Sequence, residues 1–424
     1  MSLNKLRRRF HDLYLLLAPI VDQAIISVTN FVATILLVSV TDLPVFGELS
    51  YLIVISFMGQ NLIASMIIWP MNILAVQHKQ EFESFLFATL VLMLLVAAAA
   101  ALLFFAGSLL THSANTFETL MFCIAFISMC VQDCGRRQLY LRLFRWLTMA
   151  VTVARYAIPV VFLFAISRSG SRLTPTEYWQ LIAGSSLLAI LIQFFFCRPA
   201  GTSADMVGRT AREYIAHGSW LLGQNAIQLL SDNALLLISG WLLPMAEIGI
   251  WRSLQTVAGF LNPLLISLEN IIPARAQKRY QEDGKKAGNI WLRNAFLISG
   301  IPIFLAALTI AVFARQITTI LFPSIPLGWE WIVQCYCAIL FLQMLKSFPV
   351  LQARLYGGGG AILASSMATF ILSLLLAYPL PKFFGIQGSV FGIVGLQLFG
   401  LASAILFLWL RRATVQKHQK EQLL

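Results

Sequence analysis

Apolar residues run through this chain in long blocks separated by short polar segments. The blocks cover 13–38, 48–75, 84–110, 117–132, 146–167, 178–197, 214–242, 248–273, 292–314, 329–345, 360–381 and 386–410. About 20 apolar residues carry an α-helix across a bilayer, so the pattern predicts twelve transmembrane helices; the fourth ends at 132 or continues towards Leu143, and the tenth contains Glu330 and Gln334. Strands of a membrane barrel would alternate over about ten residues, whereas these blocks are continuous. Within several blocks the polar positions recur at helical spacing. Arg252, Gln255, Gly259, Asn262 and Glu269 follow one another at intervals of three, four, three and seven, which predicts one polar helix face. Gln23, Ser27, Asn30 and Thr34 form a similar stripe in the first block. Gln224, Gln228 and Ser231, with Asn225, Asp232 and Ser239, form another in the seventh. A polar stripe on a membrane helix faces a partner helix or a water-filled cavity, and seldom lipid. A single Ser, Thr or Gln of this kind commonly serves helix–helix hydrogen bonding. Stripes in corresponding spans favour a hydrated central cavity.

Charge orders the blocks across the membrane. With the N-terminus inside, 24 of the 30 basic residues fall in segments on the inner side, among them Arg7 to Arg9, Arg136, Arg137, Lys278, Arg279, Lys346, Arg411 and Arg412. Arg168, Arg172, Arg315 and Lys382 fall outside, and Arg155 and Arg252 within spans. This is the alternation that the positive-inside rule describes, and it places both termini in the cytoplasm. Pro273 and the basic residues from Arg275 to Lys286 read as a kinked helix leaving into a cytoplasmic loop. The longest outer connection, near Arg315 to Trp329, is too short for a catalytic domain.

Composition agrees. Hydrophobic residues make up 59% and charged residues 11%, against about 25% charged in soluble domains; mean hydropathy is +0.80. The net charge of +12 belongs to the inner loops, and nucleic acid is not an expected partner. The six cysteines lie in or beside spans without the His or second Cys pair of a metal site. Gly357 to Gly360 is followed by no Lys-Ser/Thr, so the phosphate-loop pattern fails. No cofactor, metal centre or catalytic constellation is expected, and the chain is read as a non-enzyme.

The chain also repeats itself weakly. At an offset of 202, Arg7 matches Arg209, Gln23 matches Asn225, Asn30 faces Asp232, Gly47 matches Gly249 and Gln60 faces Asn262; at 203, Pro70 matches Pro273. Parallel repeats of this kind are a transporter architecture. The expected fold is therefore all-α and polytopic, with about twelve transmembrane helices in two six-helix bundles around a central cavity. The bundles cover 1–205 and 206–424.

Two arginines stand out. Arg155 is near the middle of its block, where an arginine costs about 2.5–3.5 kcal/mol on insertion scales. Snorkelling or structural pairing is one account of it; lining a cavity that takes an anionic group is the other. A guanidinium suits phosphate because its donor fork is rigid and bidentate. Arg252 lies nearer the outer end of its span. Asp22 and Asp232 are candidates to bind a proton or cation, or to partner Arg155. Pro159, Pro263, Pro273 and Pro302 interrupt spans and predict bends.

The run Asp22-Gln23 through Asn30-Phe31, then Pro44-Val-Phe-Gly47-Glu-Leu and Pro70, resembles the opening of Wzx-type polysaccharide flippases of the multidrug/oligosaccharidyl-lipid/polysaccharide superfamily. Glu247-Ile-Gly249-Ile-Trp251, Pro273 and the basic segment Arg275 to Lys286 are similar to that family in the second half. The resemblance implies a flippase for an undecaprenyl-diphosphate-linked oligosaccharide, working by alternating access in the bacterial inner membrane. Its implied partners are the lipid-linked oligosaccharide, membrane lipids, a coupling proton or sodium ion, and other polysaccharide assembly proteins. Carried onto these residues, substrate contacts fall to Arg155 and Arg252, with Gln255, Asn262, Gln60 and Asn30 on the polar stripes; ion coupling falls to Asp22 and Asp232. The cationic lining is thin for the family, which fits a mostly neutral glycan. The sister family of multidrug and toxin extrusion antiporters is the alternative, with Asp22 as its acidic residue in span one, although Arg155 would repel cationic drugs.

Overall fold

The computed structural model describes residues 3–75, 77–78, 80–111, 115–197, 201–355 and 359–421, and among these helices are the sole regular structure. They are α1 (Leu3–Val40), α2 (Leu43–Met66), α3 (Ile68–Leu74), α4 (Phe82–Thr111), α5 (Thr116–Leu141), α6 (Arg145–Ser169), α7 (Pro175–Phe196), α8 (Ala204–Leu242), α9 (Met245–Gly259), α10 (Asn262–Val312), α11 (Ala314–Leu321), α12 (Trp331–Leu355), α13 (Gly359–Ala377) and α14 (Pro379–Glu421). Ten segments among the described residues are long and apolar enough to cross a membrane, α2 and α3 counting as one of them. The expected seventh and eighth spans are helical but fall outside that set. Gln224, Asn225, Gln228 and Asp232 lower the hydropathy of α8, and α9 has only 15 residues.

The chain forms two compact units, Met1–Ala226 and Ile227–Leu424, which divide within α8. In the first, α5 packs on α4 and α7, and α6 is held between α1 and α7. Phe46, Leu49, Met71, Phe85 and Trp179 are fully buried there. Local signals set the helix ends. The Asn115 side chain accepts from the Phe117 amide at 3.0 Å to start α5. Thr174 and Glu177 form a capping box at the start of α7, and left-handed Gly170 (φ 69) ends α6.

The break between α2 and α3 has a visible cause. Pro70 has no N–H to return to the Met66 carbonyl, and the helix restarts after Ile67. Gly218 of α8 meets that exposed backbone; a Cβ added there would lie 2.6 Å from the Met66 carbonyl oxygen. The N-terminal part of α8 is tied into the first unit by polar contacts as well. His78 Nε2 lies 2.8 Å from Glu213, and the hydroxyls of Thr89 and Tyr214 are 2.6 Å apart.

In the second unit α12 packs against α9, α10 and α14, and α13 against α14. Serine pairs join helices at 2.7 Å, Ser239 with Ser389 and Ser365 with Ser403. The Trp251 indole donates to the Tyr336 hydroxyl at 2.8 Å.

Several boundaries differ from the sequence reading. The fourth span continues to Leu141, so Arg136 and Arg137 lie in helix α5 and not in a loop. Lys346 likewise lies within α12. The segment after Pro273 is helical, not a loop, and breaks only at Gly284 (φ 85). Part of the expected outer connection after Arg315 is the short helix α11. The polar stripe from Arg252 to Glu269 does not share one continuous helix. It is interrupted at Phe260–Leu261, because Pro263 opens α10 and cannot bond the Gly259 carbonyl. The side chain of Glu269 and residue Gly357 lie outside the described residues.

Candidate functional site

In the first unit, α6 presents Thr148, Thr152 and Arg155 at intervals of four and three, followed by Pro159 four residues further. All four are buried. Arg155 is 5% exposed. One guanidinium nitrogen donates to Ser185 Oγ of α7 at a long 3.4 Å, and the group stands 5.1 Å from the Tyr156 ring centroid. No carboxylate pairs with Arg155 among the described residues. Pro159 removes the N–H that would have bonded the Arg155 carbonyl, and the Thr152 hydroxyl has no partner. The stretch therefore gathers a cation, a carbonyl and a hydroxyl whose polar capacity is not filled by protein.

Asp22 is not the missing partner. It is 2% exposed and takes a charge-assisted hydrogen bond from Arg136 at 2.5 Å and another from the Tyr140 hydroxyl at 2.7 Å. Arg136 also donates to Asp133 at 2.8 Å, and Arg137 donates to Asp133 at 3.1 Å. The cluster holds two acids and two arginines and balances its own charge. The sequence reading missed Arg136, taking it for an inner-loop residue. The available signal was Asp133 at three and four residues before Arg136 and Arg137, a spacing that pairs charges on one helix face.

The other candidates of this unit stand apart. Asn30 is exposed, and Gln60 reaches Met129 Sδ at 3.9 Å. No hydrogen bond or ion pair joins any two of Asp22, Asn30, Gln60 and Arg155.

The second unit repeats the theme of an unpaired cation. Arg252 of α9 is hydrogen-bonded to the Gln255 side chain one turn on. Its buried Nε has no partner, and no carboxylate pairs with it among the described residues. Tyr336, bonded to Trp251, is the nearby polar group. Asp232 is exposed, accepts from Gln228 at 3.4 Å, and has Lys346 as the closest opposing charge. Asn262 is exposed at the start of α10. Of the predicted residues here, Arg252 and Gln255 are brought together, and Asp232 and Asn262 are not joined to them.

No protein-family model matches this chain, and no curated protein does. Solved structures match over nearly the full length. The lipid II flippase MurJ in an inward closed conformation superposes with a TM-score of 0.71 at 9% identity, covering 93% of this chain and 87% of that one. An inward-facing multidrug resistance MATE family transporter of the MOP superfamily gives 0.69 at 12% identity, covering 94% and 96%. A MOP superfamily transporter from Pyrococcus furiosus, described as having a binding pocket of reverse polarity, gives 0.58 at 13% identity, covering 95% of each chain. The fold is the all-α transporter fold that MATE and MurJ share. At these identities the likeness shows the fold and carries no substrate.

Proposed function

We propose that the chain is a transporter of the Wzx type, moving an undecaprenyl-diphosphate-linked oligosaccharide from the cytoplasmic to the periplasmic leaflet of a bacterial inner membrane. The observation that carries this reading is the pair of arginines, Arg155 in one unit and Arg252 in the other, with which no carboxylate forms an ion pair among the described residues. A buried cation without an acid is costly, and an anionic ligand such as a diphosphate supplies the missing charge with matching bidentate geometry. Gln255, Asn262, Gln60 and Asn30 are suited to sugar hydroxyls. The MATE-like fold alone leaves a cation antiporter in view, but two free arginines repel a cationic drug. Asp22, its natural acid, already accepts from Arg136 and Tyr140.

Mass spectrometry of lipid extracts from a deletion strain tests this reading. Build-up of a complete oligosaccharide on its lipid, with loss of surface polysaccharide, supports it and identifies the glycan. Unchanged lipid-linked sugars together with new sensitivity to cationic drugs would replace it with the antiporter. Build-up of a truncated oligosaccharide would point to an enzyme that completes the glycan.

A further inference from the structure

Between α6 and α7 the first unit holds a cavity of about 590 Å³, within the range of small-molecule sites. Ile158, Phe162, Leu181 and Leu188 line it, and Ile158, Phe162 and Leu188 are substantially exposed. It runs along α7 from Glu177 to Leu188, about 16 Å at the helical rise, or roughly one leaflet of a hydrocarbon core about 30 Å thick. A groove of that length and lining accepts a hydrocarbon chain.

Its polar fittings say what kind of head the chain carries. The charged groups at the loop end are already engaged, Arg172 with Asp42 and Glu177 with Thr174. The groove wall at Ser185 is different. The Ser185 hydroxyl donates to the Ile182 carbonyl at 3.0 Å and accepts from Arg155, which stands behind it, at 3.4 Å. That second contact is long and easily exchanged. Arg155 is thus a nine-tenths-buried cation, without an ion-paired acid among the described residues, directed at the wall of an apolar groove.

We propose that the α6–α7 groove holds the hydrocarbon chain of a lipid-anchored phosphate or diphosphate, whose anionic head takes the Arg155 guanidinium over from Ser185. The occupant is the lipid-linked substrate, so the proposal rests on the transport reading above. Gly184 opens onto the groove, and a Cβ there meets nothing within 4 Å. Gly184→Leu therefore fills the groove without disturbing the packing of the helix.

The test is photolabelling of the purified full-length protein with a diazirine-bearing polyprenyl diphosphate, followed by peptide mapping. Label is expected on the peptides holding Phe162 and Leu188, falling on the order of tenfold in Gly184→Leu and also in Arg155→Met, with thermal unfolding confirming that both variants fold. Excess unlabelled polyprenyl diphosphate is expected to compete, and the uncharged polyprenol and phosphatidylglycerol to compete far less. Label elsewhere, or undiminished in both variants, overturns the groove. Equal competition by polyprenol overturns the role of the phosphate, and equal competition by phosphatidylglycerol makes the occupant an ordinary bilayer lipid. Failure of the transport reading is seen separately, in deletion-strain lipids that do not change.

Discussion

Arg136 holds the Asp22 carboxylate at 2.5 Å, while Arg155, buried in the same unit, has no ion-paired acid among the described residues. The two arginines lie in the same unit, on α5 and α6, and differ in what surrounds them. One is locked in a self-neutralising cluster that joins α1 to α5. The other has a weak contact to a serine. On the proposed reading, structure falls to Arg136 and recognition to Arg155.

The Asp22–Arg136 pair is nearly dry, with side chains 3% and 9% exposed. Removing one partner of such a pair leaves an uncompensated charge, at a cost of about 3–5 kcal/mol. Asp22→Asn and Arg136→Gln are each expected to lower the thermal unfolding temperature of the detergent-purified protein sharply. The double variant is expected to recover part of the loss. A loss in the double variant equal to the sum of the two single losses would show that the pair is not coupled.

Arg155 predicts the opposite sign. Exchanging an unpaired buried cation for an apolar residue of similar length removes a desolvation cost, so Arg155→Met is expected to unfold at the same temperature as the parent or higher. Export of glycan is expected to stop. Such a trade between stability and activity marks a site held in an unfavourable state for function. A strong fall in unfolding temperature for Arg155→Met would instead mean that the guanidinium is structural.

Gly218 packs on a carbonyl that Pro70 has released from the helix ladder. A Cβ there meets Met66 backbone at 2.6 Å, and backbone does not yield as a side-chain tip does. Gly218→Val is expected to destabilise by about 1–3 kcal/mol and to reduce the folded yield, read by fluorescence-detected size exclusion. Gly184→Leu, which meets open space, is the matched comparison and should leave the yield unchanged.

In the second unit the Tyr336 hydroxyl is the acceptor for Trp251, and both side chains are buried. Tyr336→Phe orphans the indole N–H, at a cost of about 1–3 kcal/mol. The expected readout is a lower unfolding temperature, with Trp251→Phe costing less in the Tyr336→Phe background than in the parent, the difference being the shared hydrogen bond.

The membrane class and helical architecture were legible because hydropathy alone writes them: α4 needs no partner to declare itself a span. The blocks 214–242 and 248–273 read as spans by their apolar runs; both are helical, but α8 is too polar and α9 too short to stand among the apolar spans of the structure. Arg136 and Lys346 were not legible. Each sits beside the end of an apolar block, where a basic residue reads as the start of a loop. The local trace was Asp133, one turn before Arg136; the bond to Asp22, 114 residues away, is a tertiary contact that the sequence does not show. The interruption of the Arg252-to-Glu269 stripe was written in Pro263, whose missing N–H outweighs the regular spacing of the residues around it. Arg155 was legible as an anomaly, a charge inside an apolar block. Its lack of an acid became visible only when Asp22 was found engaged elsewhere.

The most direct measurement is to complement the deletion strain with the parent protein, Arg155→Lys and Arg155→Ala at matched membrane levels and to quantify the complete lipid-linked oligosaccharide in each. The account predicts full clearance with the parent and partial clearance with Lys, which keeps the charge but loses the bidentate fork. It predicts build-up close to that of the deletion strain with Ala. Normal clearance by Arg155→Ala would contradict it.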